Sequence, residues 1–91
     1  MNDKMVALLV QEMGICDKYL ELAIENKEDE LSGFFFMLSD ETDRRVSMLA
    51  EKLKERGFIF PDELKEKYNE HVTNKHVRTH LFHSPVTGLM D

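Results

Sequence analysis

The sequence predicts an all-α fold: a long antiparallel helical hairpin and a shorter third helix, pairing with a second copy into a four-helix bundle. Three observations predict it. Leu, Glu, Lys and Met are frequent, whereas the 91 residues hold only 4 Gly and 2 Pro, a composition that favours helix. Apolar residues recur at three- and four-residue steps through two long segments. Short polar or Gly/Pro-containing breaks separate those segments.

The first helix is expected from Asp3 to Asn26, with Asn2 or Asp3 as its N-cap. Met5, Leu9, Cys16, Tyr19, Leu20 and Ala23 share one face. Gly14 weakens this helix by roughly 1 kcal/mol relative to Ala. The polar stretch NKEDE reads as a hairpin turn. The second helix is expected from Leu31 to Arg56, stopped by Gly57 as a left-handed cap. Its apolar face reads Leu31, Phe35, Leu38, Val46, Leu49 and Leu53, with Thr42 and Arg45 in the gap. Phe58, Ile59 and Phe60 form an apolar connector, and Pro61 opens a third helix where its missing N–H does no harm. Leu64, Tyr68 and Val72 continue that helix to the polar TNK, where a bend or break is expected. Ser84-Pro85 ends it. The chain therefore divides into one helical domain over 1–83 and an extended C-terminal tail over 84–91.

The two long helices would each span about 35 Å. A hairpin of that length with one short extra helix leaves an apolar flank bare, which favours a homodimer or a larger ring. The formal charge of −6 argues against nucleic acid, since phosphate binding needs concentrated basic surface. No apolar run is long enough to span a bilayer. A single cysteine forms no internal disulfide, so a cytoplasmic setting is expected. Cys16 itself reads as a small buried side chain.

Glu12 is the most informative residue. It falls on the apolar stripe between Leu9 and Cys16, and a carboxylate turned toward a core must lose its charge, meet a cation or bind a metal. In a hairpin turning near Glu28, residues whose numbers sum to about 57 face each other. Glu12 and Arg45 satisfy that. A guanidinium can fork onto the carboxylate with two parallel hydrogen bonds, occupy the space of a metal and fix helix register, within one chain or across a dimer seam. The acids around Thr42 (Asp40, Glu41 and Asp43) read as a solvated face, although Glu41 could reach a rotated seam. A second candidate is the histidine run. His76, His80 and His83 are spaced four and three, so a continuous helix would align them for a zinc-type metal.

Three segments resemble the ferritin-like superfamily. EMGICDKYL is similar to the first helix of those proteins, and FFFMLSDETDRRVSMLAEKL is similar to the second, where the family carries Glu-x-x-His. HVRTHLFHSPVT resembles the closing segment of encapsulated ferritins, small cargo proteins that fold as hairpins and pair to complete a bundle. RGFIFPDELKEKYNE stands apart as an insertion. The resemblance implies iron bound and oxidised where two subunits meet, with Glu12 as first ligand and Tyr19 at the family's tyrosine position. The second carboxylate falls on Thr42 and the histidine on Arg45. That is a departure, because threonine is a weak neutral ligand and arginine keeps its proton. The tail VTGLMD also resembles the short peptides by which cargo docks into encapsulin shells, which would place the protein inside a nanocompartment.

The leading expectation is thus a ferritin-like, iron-associated protein with an altered metal site. The alternative is a non-enzymatic oligomeric scaffold or interaction module, in which a Glu12–Arg45 ion pair replaces the metal and no cofactor is held. The third is zinc-type binding at His76, His80 and His83.

Overall fold

A computed structural model of the chain describes residues 2–83. Three helices follow one another: α1 (Asn2–Glu25), α2 (Leu31–Glu55) and α3 (Asp62–His83), with no strand among the described residues. The tail, with the docking peptide expected there, lies outside the described residues.

α1 and α2 pack along their lengths as an antiparallel hairpin. Helix α1 begins one residue earlier than expected, so Asn2 is inside the helix and does not precede it as a cap. The turn is closed by Asp29, whose Oδ1 accepts the Leu31 N–H at 2.8 Å, satisfying one orphan donor at the start of α2. At the other end, Gly57 takes φ 79°. Its N–H donates to Lys54 O, and the Phe58 N–H donates to Leu53 O, each at 3.0 Å. That is the paired bonding of a Schellman cap, which needs a residue free to adopt positive φ.

The buried face of α1 comprises Leu9, Met13, Cys16, Leu20 and Ala23. On α2 the buried face differs from the expected one: it is Ser32, Ser39, Thr42, Val46, Ala50 and Leu53. Leu31 is 53% exposed, and Phe35, Leu38 and Leu49 are only half-buried. Small residues hold the seam because they let two helix backbones come close. The Cys16 thiol reaches the Ser39 carbonyl at 3.3 Å. Two buried hydroxyls are satisfied within their own helix, Ser39 Oγ on Phe36 O and Thr42 Oγ1 on Leu38 O, both at 2.8 Å, while Ser32 Oγ lies 3.5 Å from Lys27 O in the turn. Such back-bonding lets polar side chains sit in a core without an unpaired group.

Helix α3 runs without a break at Thr73–Lys75. It lies parallel to α1 and antiparallel to α2. Leu64 joins the core near Leu9 and Leu53, where Phe58, Phe60 and Tyr68 close the end of the hairpin. Edge-to-face contacts link Phe58 to Phe60 and Phe60 to Tyr68. At the far end Phe82 stacks on Phe36 with ring centroids 4.5 Å apart, and Lys27 Nζ donates to Leu81 O at 2.8 Å. Between those ends α3 is polar, and Leu64 and His71 are its buried residues.

Candidate functional site

Glu12 and Arg45 meet across the hairpin. Arg45 Nε donates to Glu12 Oε1 at 2.8 Å, one bond in place of the expected fork, because Nη2 turns to Thr42 Oγ1, 3.4 Å away. The pair stands at the rim of the seam, not inside it. The Glu12 side chain is 13% exposed and that of Arg45 54%, because the stem of the arginine lies along the surface while its head reaches over the edge. Leu8, Met48, Leu49 and Lys52 complete a shallow groove around them. Tyr19 is half-buried and Glu41 is exposed.

This flank lies opposite α3. Positions 8, 12, 15, 19 and 22 follow one another on α1 at three- and four-residue steps; on this chain they are Leu, Glu, Ile, Tyr and Leu. Leu38, Arg45, Met48 and Leu49 face the same way from α2. Among the large apolar residues, Met48 is 63% exposed.

His76, His80 and His83 are exposed along α3. Their ring nitrogens do not gather into a three-ligand group, and His83 turns edge-on to Phe36 and Phe82.

A second polar centre was not anticipated from the sequence, and it is the most buried one. The fourth histidine, His71, is 3% exposed. Its Nδ1–H donates to Asp17 Oδ1 of α1 at 2.9 Å, and its Nε2–H donates to Asp43 Oδ1 of α2 at 3.0 Å. Burial disfavours the charged ring. The hydrogen bonds to Asp17, Asp43 and Cys16 outweigh that, raising the His71 pKa from 6.5 to about 11. The ring is therefore an imidazolium at neutral pH, gripped by one carboxylate from each helix of the hairpin. The hydrogen bond from His71 in turn lowers the Asp43 pKa against the effect of burial, helped by the charges of His71 and Lys75. One turn on, Lys75 Nζ donates to Asp40 Oδ1 at 2.7 Å and lies 5.2 Å from the centre of the Phe36 ring. Polar contacts thus hold the middle of α3, where apolar ones are sparse.

A signal for this centre was present in the chain. Leu64, Tyr68, His71 and Lys75 recur at steps of four, three and four, a better helical face than one continued through Val72, which is exposed. Asp43, read as part of a solvated acidic run, is half-buried against it.

Comparison with protein-family models, curated proteins and solved structures returns no match for this chain. No helix among the described residues is long and apolar enough to cross a membrane.

Proposed function

We propose that the chain is a non-enzymatic helical scaffold that pairs with a second copy through the flank opposite α3, on a ferritin-like plan whose metal position is taken by the Glu12–Arg45 ion pair. The observation that carries this reading is the 2.8 Å contact between Arg45 Nε and Glu12 Oε1. Iron needs several unprotonated oxygen or nitrogen donors. At this position the carboxylate already accepts from a guanidinium, and Thr42 spends its hydroxyl on Leu38 O. The donor set does not suit iron.

The surrounding flank supplies the reason to pair. Leu8, Met48, Leu31, Phe34 and Met37 are exposed apolar residues, and burying such side chains stabilises association by about 25 cal/mol per Å² of apolar area. A two-fold pairing would bring the two Glu12–Arg45 pairs together, where the half-exposed guanidinium of one copy can reach the carboxylate of the other. Polar groups at such a seam set register. Capture inside an encapsulin shell through residues 84–91 would be an added property of the tail.

Sedimentation equilibrium tests the reading. The natural chain is expected to run as a dimer or larger assembly, and Met48→Glu with Leu8→Glu is expected to give a folded monomer. A natural chain that is monomeric at high concentration, or an assembly indifferent to both substitutions, would overturn it.

A further inference from the structure

The centre around His71 has a chemistry that the scaffold reading does not use. Cys16 comes from α1, Asp43 from α2 and His71 from α3. Their Sγ, carboxylate oxygen and ring nitrogen all lie within 4.8 Å of one another, and Nε2 is already 3.0 Å from Asp43 Oδ1. Tetrahedral zinc, with bonds of about 2.0–2.3 Å, sets its ligand atoms roughly 3.3–3.8 Å apart. Shifts of a few tenths of an ångström up to about 1 Å therefore separate the present arrangement from a coordinating one.

We propose that Cys16 Sγ, Asp43 Oδ1 and His71 Nε2 form a binding site for one zinc-class divalent cation that ties the three helices together. Asp17 acts as a positioning residue. Its carboxylate accepts from Nδ1 at 2.9 Å, which fixes the ring so that Nε2 points at the site, the usual support of a metal-bound imidazole. A thiol, an imidazole and one carboxylate select a borderline cation such as Zn²⁺ over Mg²⁺ or Ca²⁺, which want oxygen donors throughout.

The charge balance permits the exchange. Without a cation, the imidazolium and the two carboxylates carry a net local charge of about −1. On binding, the Nε2 proton now shared with Asp43 and the Sγ proton now donated to Ser39 O leave for solvent, and one M²⁺ takes their place. The local charge is unchanged, so the cluster accepts the cation with no new unpaired buried charge. Asp43 also borders the cleft between α2 and α3, beside Ser47, Tyr68 and His76, the side from which a cation would enter.

Cobalt substitution reads the site directly. Chelator-treated full-length protein titrated with Co²⁺ is expected to bind one ion per chain, with tetrahedral visible bands and a thiolate-to-cobalt charge-transfer band in the near ultraviolet. Zn²⁺ should displace it and Mg²⁺ should not. Cys16→Ser should abolish the charge-transfer band, and Asp43→Asn should weaken binding by at least about tenfold, each with helix content checked by circular dichroism. His80→Ala should change nothing. If Cys16→Ser fails to fold, Asp43→Asn and the band in the natural chain decide between the same two outcomes. Absence of binding, cobalt bound to the natural chain without the thiolate band, a band that survives Cys16→Ser, or binding that vanishes in His80→Ala would overturn the proposal.

Discussion

Arg45 Nε and Glu12 Oε1 stand 2.8 Å apart, joining α2 to α1 on the flank that α3 leaves uncovered. The contact pairs a mostly buried carboxylate with a half-exposed cation, so most of its worth lies in sparing Glu12 an unpaired burial.

Arg45→Met is therefore expected to destabilise the chain by about 1 kcal/mol, and Glu12→Gln by less, since the amide oxygen still accepts from Nε. Urea unfolding of both variants checks this. Equal stability of Arg45→Met and the natural chain would show that the contact contributes nothing.

His71 is held more deeply. Replacing it with Gln leaves two carboxylates facing each other without their shared cation, and the expected loss is about 3 kcal/mol in metal-free protein. Because α3 has few apolar anchors, hydrogen exchange in its middle turns should accelerate before exchange in α1 or α2 does. Uniform acceleration across all three helices would contradict the role of His71 as the fastening of α3.

The same group sets an alkaline limit. Its folded pKa of about 11 lies above the usual 6.5, so the folded state holds a proton that the unfolded chain releases. The stabilisation is complete below pH ~6.5 and fades as pH rises toward ~11, by up to about 1.4 kcal/mol per pH unit. Asp17, Asp43 and Cys16 contact the ring, and Lys75 lies near Asp43. Both carboxylates are partly exposed, so solvent screening makes the observed slope shallower. In chelator-treated protein, unfolding free energy should fall between pH 7 and pH 10, and the fall should vanish in His71→Gln. A flat profile in the natural chain would contradict the clamp.

Gly14 offers a gain. A Cβ built there meets nothing within 4 Å, and the residue lies in the middle of α1. Gly14→Ala should stabilise by about 1 kcal/mol, raising the melting temperature by roughly 4–8 °C for a domain of this size. Calorimetry decides it.

The helices were legible because their signals are local. The hairpin turn, the Gly57 cap and the Pro61 start follow from backbone preferences of single residues, and the facing of Glu12 and Arg45 follows from hairpin arithmetic. The α2 core face was less legible. Large apolar residues draw attention to Leu31 and Leu38, yet close packing against α1 selects Ser39, Thr42 and Ala50, whose hydroxyls, where present, are satisfied by their own helix. His71 was harder still: its spacing from Leu64 and Tyr68 puts it on the inner face of α3, but that spacing does not encode the convergence of Asp17 and Asp43 from two other helices. The run of His76, His80 and His83 drew attention by its regularity, but regular spacing on an exposed face does not bring ring nitrogens together.

The most direct test of the central claim combines mass and metal on one sample: anaerobic Fe(II) loading of the purified chain, then removal of free iron, elemental analysis and native mass. The scaffold account predicts an intact dimer or larger assembly whose Glu12→Ala variant carries no less iron than the natural chain, because Glu12 is engaged by Arg45. Iron bound in proportion to subunit pairs and lost in Glu12→Ala would contradict it and restore an iron centre at that seam.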